Sequence, residues 1–273
     1  MLKIALTGAT GLVGSRIVQL LNSDFQFIPL SHAEFDIINK PQVDSVIANL
    51  DFDIFLHLAA FTNVDKAEET KDIAFQINGK GTENIFEAVK TKGKKFVYFS
   101  TDFVFDGKNP PYDENSIPNP ISAYGASKYE GEKIVKDKAM IIRISYPYRK
   151  DEYLGKKDFV QTIRDLLTQE KTIKMVEDSL ITPTCIDDIA FGLKHLLNNY
   201  SPEIFHLVGN QSLSPYEAGK TIARKFTLNE ELIQPITYDE YFAGKAQRPK
   251  FSKIISRKNN FYKMHPLQES FSN

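Results

Sequence analysis

Residues 3–14 read Lys-Ile-Ala-Leu-Thr-Gly-Ala-Thr-Gly-Leu-Val-Gly, an apolar run that passes into glycines at Gly8, Gly11 and Gly14. Apolar residues at helical spacing follow over 12–21, so the pattern predicts a strand, a tight turn and a helix. Glycine lets the backbone bend sharply and a pyrophosphate approach closely, while amides at the helix start point towards the negative charge. We therefore expect dinucleotide binding here rather than a plain strand–helix turn.

The same alternation of apolar strands and amphipathic helices continues to residue 145. It predicts an α/β fold, a Rossmann-type doubly wound parallel sheet that occupies residues 1–145 and takes back further elements from about 183–210. Beyond residue 145 the alternation loosens. We expect residues 146–182 and 211–273 to form a smaller C-terminal substrate lobe.

Composition excludes several classes of protein. The 273 residues carry a net charge of -1, which provides no basic field for nucleic acid or for an anionic membrane surface. The single cysteine, Cys185, excludes an internal disulfide framework, and its chance of being a nucleophile is small because no partnered base is readable. The five histidines lack metal-ligand spacing, so no metal is expected. With no long apolar segment near Met1, we expect a cytoplasmic protein.

The end of the second predicted strand, residues 26–30, bears on cofactor choice. An acidic residue there would bind the ribose 2′-hydroxyl of NAD, but Ser31 and His32 stand at this point. With no carboxylate to repel a 2′-phosphate, and with Arg16 early in the first helix, NADP is favoured over NAD. Glu34 leaves NAD open, because it could still reach the ribose.

Two further strand ends carry small or polar residues. Ala59 and Ala60 follow the third strand and would let a cofactor lie against it, while His57 within that strand is expected to be a satisfied core histidine. Asn78 lies in a glycine-rich interruption of a long helical pattern, which indicates close helix packing or a functional polar contact. The fourth strand delivers Ser100, Thr101 and Asp102 to the carboxyl edge of the sheet, where ligands bind in such folds.

Tyrosine followed by lysine at the fourth position after it occurs six times in this chain, so the spacing alone has little value. Only Tyr124 and Lys128 lie at the start of a helix reached from a strand end that bears free hydroxyls. The pair at Tyr129 and Lys133 is rotated about 100° around the same helix, and we interpret it as a packing face. A nearby ammonium favours the phenolate, so we expect Lys128 to lower the pKa of Tyr124.

The chain resembles the extended short-chain dehydrogenase/reductase family over nearly its whole length. The matching segments are Thr7–Gly14, His57–Ala60, Asn78–Asn84, Tyr124 with Lys128, and Asp187–Ala190. Within that family it looks most like the dTDP-4-dehydrorhamnose reductases. This narrower match rests on the segments Phe35–Asn39, Phe61–Glu68, Ser100–Gly107, Pro183–Thr184 and Arg248–Ile254.

The resemblance implies a catalytic set, Thr101, Tyr124 and Lys128: Tyr124 gives a proton to the carbonyl oxygen, Thr101 hydrogen-bonds that oxygen, and Lys128 holds the nicotinamide ribose. It also implies that Asp36 and Ile37 contact the adenine. From the residues and the resemblance together, the predicted cofactor-binding set is Gly8, Thr10, Gly11, Leu12, Val13, Gly14, Arg16, Ser31, Asp36, Ile37, Ala59, Ala60, Asn78, Ser100, Tyr124 and Lys128. The predicted substrate-binding set is Thr62, Val64, Asp102, Tyr146 and Arg248.

The implied reaction is NADPH-dependent reduction, with NADH as an alternative donor, of the 4-keto group of a nucleotide-linked deoxysugar. The match points most closely to dTDP-4-dehydro-L-rhamnose as the substrate and dTDP-L-rhamnose as the product. Many members of the family form homodimers, so the resemblance also admits a homodimer here. The family's Arg-Thr-Ser-Trp-x-Tyr is here Arg143-Ile-Ser-Tyr-Pro-Tyr148, and Asp158 replaces an asparagine, so another 4-keto nucleotide sugar fits as well. Arg143 and Tyr148 are further candidates for contact with the nucleotide.

Two other functions fit the same fold. A regulatory subunit resembling the methionine adenosyltransferase beta subunit would bind NADP and a partner without turnover. A nucleotide-sugar epimerase or dehydratase would recycle tightly held NAD. The presence of all three catalytic residue types favours the reductase.

Overall fold

The computed structural model describes residues 1–271 and contains a six-stranded parallel sheet in the order β2-β1-β3-β4-β5-β9. Those strands are β1 (Lys3–Thr7), β2 (Gln26–Leu30), β3 (Ile54–His57), β4 (Lys95–Thr101), β5 (Met140–Ile144) and β9 (Ile204–His206). The remaining strands are β6 (Pro147–Tyr148), β7 (Ile173–Val176), β8 (Thr184–Cys185) and β10 (Ile233–Ile236). The predicted parallel α/β fold is confirmed. β9 pairs with β5, which brings the chain back to the main sheet.

Helices cover both faces of the sheet. They are α1 (Leu12–Leu21), α2 (Lys40–Asn49), α3 (Val64–Glu69), α4 (Lys71–Phe75), α5 (Thr82–Thr91), α6 (Ala123–Val135), α7 (Phe159–Thr168), α8 (Ile186–Asn198), α9 (Pro215–Lys225) and α10 (Tyr238–Tyr241). Helices α1 and α8 share one apolar core with the sheet, and α2, α5 and α6 share the core on the opposite face. None of the helices among residues 1–271 has the length and apolar content needed to cross a bilayer.

A second, smaller core lies beyond the main sheet. It joins α7 and α9 to the two-stranded parallel sheet of β7 and β10, and it also buries Tyr148 and Cys185. Part of the tail leaves this unit: Met264 belongs to the core of the main sheet, and Ile254 packs with Val104 and Phe105. The end of the predicted lobe of residues 211–273 contributes to both parts of the molecule: Ile254 and Met264 pack against the first, while Leu267 and Phe271 pack in the second core. Residues 272 and 273 lie outside the described residues.

The polar, glycine-rich interruption between α4 and α5 is a π-helical turn at Gln76–Gly81. A side chain at Gly81 would stand 2.7 Å from the Ile37 side chain, so glycine allows close packing there. Asn78 uses the polar contact: its Oδ1 accepts from the Phe61 amide at 2.8 Å, and its Nδ2 donates to the Phe61 carbonyl and to Ser127 Oγ. The interruption thus allows close packing at Gly81, and at Asn78 it provides a polar contact within the protein.

A fully buried ion pair joins α6 to β5. Arg143 donates from Nε and Nη2 to the two carboxylate oxygens of Glu132 at 2.8 and 2.7 Å, and both side chains are almost inaccessible to solvent. Arg143 also approaches His206 Nε2 at 3.3 Å and lies over the ring of Phe105. The expectation that Arg143 meets a nucleotide is wrong, because its guanidinium is enclosed in the core. Tyr148 is likewise buried, at 0% exposure.

We expect Arg143→Gln to lower the free energy of unfolding by about 3–5 kcal/mol, because it strands the Glu132 carboxylate in the core. The double change Glu132→Gln with Arg143→Gln should cost less than the sum of the single changes, since neither charge is then left unpaired. Urea unfolding followed by circular dichroism measures both.

The exposed pair of Lys40 and Asp44 on α2 provides the control. Asp44→Asn should change stability by less than about 0.5 kcal/mol, since solvent screens exposed pairs. Additive losses at Glu132 and Arg143 would contradict the coupling described here.

Candidate active site

The glycine turn between β1 and α1 is shaped by close backbone approaches. Gly8 has a φ of 74°, and a side chain there would stand 2.8 Å from the Ala59 amide nitrogen. A side chain at Gly14 would stand 2.2 Å from the Gly8 carbonyl oxygen. Any larger residue would therefore displace backbone. Among the described residues no side chain caps the start of α1, which leaves the amides of residues 12–14 available to an anion.

The far end of the predicted cofactor site lies beyond β2. Ser31 is exposed and donates from Oγ to Glu34 at 2.8 Å. Asp36 accepts from the Ile38 amide, and the buried Ile37 is held through its carbonyl by Asn84. The structure thus presents hydroxyl and backbone groups here, with the Glu34 carboxylate one hydrogen bond away from Ser31.

Arg16 does not stand free at this end of the site. Its Nε and Nη2 donate to the two oxygens of Asp187 at 2.7 and 2.8 Å, and its Nη1 reaches Asp151 at 3.1 Å. The predicted contact with a 2′-phosphate would require these pairs to break. We therefore assign Arg16 to the attachment of α1 to α8, and this departs from the interpretation of the sequence.

Asn78 also differs from its predicted role. Its amide makes three hydrogen bonds within the protein and the residue is 1% exposed, so the side chain has no free face for a cofactor. It instead fixes the backbone at Phe61, just after Ala59 and Ala60 and just before Thr62. Asn78 is a support for the loop that leaves β3.

His57 is the satisfied core histidine that the sequence predicted. Its Nδ1 lies 2.7 Å from Thr7 Oγ1 and its Nε2 lies 3.2 Å from Thr82 Oγ1. Burial lowers the pKa of His57 to about 3, and the nearby Lys128 ammonium acts in the same direction. The ring is therefore neutral at physiological pH.

The start of α6 is brought close to the end of β4. Ser122 caps the helix by accepting from the Gly125 amide, and Glu68 Oε1 accepts from the Ala123 amide at 2.6 Å. A side chain at Gly125 would stand 2.2 Å from the Phe103 carbonyl oxygen. Glycine at this position lets the helix carry Tyr124 against the strand end. Glu68 escaped the sequence interpretation, because a partner 55 positions away leaves no local pattern.

Tyr124 lies within reach of Thr101. Its ring packs edge-on against Phe103 at 5.5 Å between centroids. Burial raises the pKa of Tyr124 to about 12, a hydrogen bond with the Thr101 hydroxyl acts to lower it, and the Asp102 carboxylate raises it. The phenol consequently keeps its proton at neutral pH.

Lys128 is 3% exposed, and its side chain extends from α6 to β4. Its Nζ donates to the Phe99 carbonyl at 2.7 Å and lies 4.1 Å from the centroid of the Tyr98 ring. Burial lowers the pKa of Lys128 to about 7, opposed by the Glu132 carboxylate. The expectation that Lys128 lowers the pKa of Tyr124 is wrong for this structure, because burial of the phenol dominates and the ammonium is directed towards Phe99.

Ser100 completes this edge of the sheet. It is 3% exposed, and its Oγ is buried with no hydrogen-bond partner among the described residues. A buried hydroxyl without a partner costs free energy, so a ligand group that bonds to Ser100 Oγ would offset that cost. The glycine cradle, the open helix start and this hydroxyl together fit a dinucleotide.

The predicted substrate residues form two groups, one at the start of α3 and one that comprises Asp102, Tyr146 and Arg248. Val64 begins α3, and the exposed Thr62 precedes it. Asp102 is 2% exposed, with its carboxylate bound by hydroxyls. Tyr146 has a φ of 40°, in the region where non-glycine residues are strained, and strain of this kind is concentrated at functional sites.

Arg248 contacts the first turn of α3. It donates from Nη2 to Asp65 at 2.8 Å, and its guanidinium covers the ring of Phe242. Burial and the Asp102 carboxylate raise the pKa of Tyr146, and the Arg248 guanidinium opposes them. Ser145, the residue before Tyr146, donates to Asp102 Oδ2 at 2.8 Å. Asp102, Tyr146 and Arg248 therefore belong to one region of the structure.

Comparison with known proteins gives consistent results. The family model described as "RmlD substrate binding domain" matches residues 2–269. The dTDP-4-dehydrorhamnose reductase of Aggregatibacter actinomycetemcomitans is 31% identical over 88% of this chain and 86% of its own length. Methionine adenosyltransferase 2 subunit beta of Bos taurus is 29% identical over 92% of this chain and 80% of its own length.

A solved structure shares the fold closely. The dTDP-4-dehydrorhamnose reductase of Bacillus anthracis str. Ames, crystallised in complex with NADP, superposes with a TM-score of 0.91 at 33% identity. The superposition covers 99% of this chain and 97% of that one.

The buried, neutral His57 predicts a loss of stability in acid. The unfolded chain takes up a proton near the ordinary histidine pKa of 6.5, whereas the folded chain does so only near 3. Between these values the unfolded state binds more protons, so the free energy of unfolding falls as pH falls, by up to about 1.4 kcal/mol per pH unit from this residue. We expect the urea midpoint, measured at pH 6.5, 6.0 and 5.5, to decline less steeply in His57→Gln than in the wild type. These pH values lie roughly above the range in which carboxylates titrate.

The exposed His32 provides the matched control. His32→Gln should retain the wild-type slope, because its ring is solvated in the folded and unfolded chains alike. An unchanged slope in His57→Gln would contradict the neutral state assigned to this ring.

Proposed function

Because the chain belongs to the RmlD substrate-binding-domain family, we propose that it reduces the 4-keto group of a nucleotide-linked deoxysugar, with NADPH as the hydride donor. The substrate we assign is dTDP-4-dehydro-L-rhamnose, and the product is dTDP-L-rhamnose. The observation that carries this proposal is that α6 holds Tyr124 and Lys128 next to Thr101 at the end of β4, on the sheet edge that also bears the glycine turn.

The chain's own groups account for cofactor binding. Gly8, Gly11 and Gly14 would let the pyrophosphate approach the open amides at the start of α1. The unpartnered Ser100 hydroxyl would gain a hydrogen-bond partner on the nicotinamide side. Ser31 supplies a hydroxyl where a carboxylate would favour NAD, which supports NADPH, and NADH remains an accepted donor because Glu34 lies beside it.

Tyr124 supplies the proton. A bound NADPH would deliver hydride to the carbonyl carbon, and the oxygen would then take the phenolic proton. With its pKa raised to about 12, Tyr124 is protonated and ready to donate throughout the physiological range. Thr101 would hydrogen-bond the same oxygen, which would fix the carbonyl next to the phenol.

Lys128 has one task in this proposal. Its ammonium would bind the hydroxyls of the nicotinamide ribose. In the present structure the Phe99 carbonyl and the Tyr98 ring hold the ammonium in place one turn from Tyr124. Anchoring of this kind limits the rearrangement needed on binding.

The substrate would lie between α3 and the smaller core that α7, α9, β7 and β10 form. Arg248 is suited to bidentate recognition of a diphosphate, and Asp65 neutralises it in the present structure. Tyr146 would contact the sugar or base, and Thr62 and Val64 would line the opposite side. The same interpretation admits a homodimer, as in many family members.

A second candidate is a regulatory subunit that binds NADP and a transferase without turnover. The observation in its favour is the 29% identity to the Bos taurus methionine adenosyltransferase subunit over 92% of this chain. Tight NADP binding, no turnover of any keto-sugar and co-purification with a transferase would support it. The complete set of Thr101, Tyr124 and Lys128 supports the reductase instead.

We expect Tyr124→Phe to lower kcat by about 10²–10⁴-fold, because it removes the proton donor. Its Kd for NADPH should stay within about twofold, since the ring and Lys128 remain in place. Purified protein with dTDP-4-dehydro-L-rhamnose and NADPH, followed by cofactor absorbance and product chromatography, measures turnover.

Tyr129→Phe on the same helix provides the control and should keep full turnover. Normal turnover in Tyr124→Phe would eliminate the assigned proton donor. Release of NADP⁺ in proportion to substrate consumed separates a reductase from an epimerase or dehydratase, in which the cofactor is regenerated.

A further inference from the structure

Three hydroxyl groups surround one buried carboxylate next to Thr101. Asp102 is 2% exposed, and its Oδ2 accepts hydrogen bonds from Ser145 Oγ, at 2.8 Å, and from Ser252 Oγ. Its Oδ1 accepts from Thr101 Oγ1 at 3.1 Å. Ser145 and Ser252 are themselves buried, at 1% and 3% exposure. The cluster is therefore shielded from solvent.

The two serines come from different parts of the molecule. Ser145 directly follows β5 of the main sheet. Ser252 is held by a segment that precedes β8: its amide donates to the Leu180 carbonyl at 2.8 Å, and its carbonyl accepts from Thr182 Oγ1 at 2.9 Å. Ser252 thus connects the segment of Leu180 and Thr182, which lies outside the main sheet, to Asp102, the residue next to Thr101.

Proton counting shows what the cluster can do. Thr101 has a single hydroxyl proton, which it can give either to Asp102 or to an oxygen on the other side, where Tyr124 lies. Two serine donors occupy Asp102 Oδ2, fix the plane of the carboxylate and leave Oδ1 directed at Thr101.

We propose that Ser145 and Ser252 are positioning residues that act through Asp102 to orient the Thr101 hydroxyl for the substrate carbonyl. This inference rests on the reductase function proposed above. Burial raises the pKa of Asp102 and the three hydroxyls oppose that rise, as expected for a carboxylate whose state depends on these donors. Loss of either serine leaves Oδ2 with one donor and lets the carboxylate turn.

The test is a double-mutant cycle. Ser252→Ala and Ser145→Ala should each lower kcat about tenfold, the value of one hydrogen bond, with the KM for NADPH unchanged. In a Thr101→Val background, Ser252→Ala should lower kcat no further, because the group through which it acts is gone. Ser179→Ala, which removes a buried serine from the same segment as Leu180, is the matched control and should keep wild-type kcat.

A tenfold loss that persists in the Thr101→Val background would overturn the proposal, because a general structural effect does not depend on Thr101. If Ser252→Ala fails to fold, the cycle with Ser145→Ala decides in the same way, since Ser145 directly follows β5.

Crystal structures of the ligand-free variants give a result independent of turnover. The Thr101–Asp102 hydrogen bond should be lost in Ser252→Ala and kept in Ser179→Ala. Its retention in Ser252→Ala would overturn the inference. A wild-type protein without turnover would refute the reductase function, while the crystal structures would still decide the role of Ser252.

Discussion

The approach of α6 to the end of β4 is the constraint on which the site depends. Gly125 lets the helix backbone pass over the Phe103 carbonyl, where a side chain would stand 2.2 Å from that oxygen. Glu68 then fixes the helix by accepting from the Ala123 amide. Without this contact Tyr124 would stand away from Thr101, since the helix is the only element that carries it.

A buried polar layer supports that arrangement from below. Glu132 lies one turn after Lys128 on α6 and pairs with Arg143 on β5, so the catalytic helix is attached to the strand next to β4. The attachment is stiff because its charges are enclosed and mutually satisfied. It also places a carboxylate near Lys128, where it opposes the loss of the ammonium's proton on burial.

Burial controls the electrostatics of the site more than pairwise charge does. It raises the pKa of Tyr124 and lowers those of Lys128 and His57, each towards the neutral form. Desolvation of both groups outweighs the attraction between ammonium and phenolate that their spacing along the helix suggests. Since desolvation depends on everything packed around a group, spacing along a helix cannot supply it.

The pattern of neighbouring residues in the sequence was sufficient to predict several features of the structure. The strand, glycine turn and helix of residues 3–21 are encoded by neighbouring residues, because the turn needs backbone freedom at fixed positions and the helix needs an apolar stripe. The selection of Tyr124 and Lys128 from six pairs rests on position, since the carboxyl ends of parallel strands meet at one edge, and it stays a prediction. Arg16, Asn78 and Arg143 were misjudged because polar side chains were interpreted without their partners.

The sequence by itself determined the α/β architecture and the residue types at the edge of the sheet, because both follow from periodicity and from short-range backbone chemistry. Only the tertiary structure decided which polar groups are occupied: Asp187 holds Arg16, Phe61 and Ser127 hold Asn78, and the Asp102 carboxylate gathers Ser145 and Ser252. These contacts join residues up to 171 positions apart, and a hydrogen bond depends on distance in space rather than along the chain.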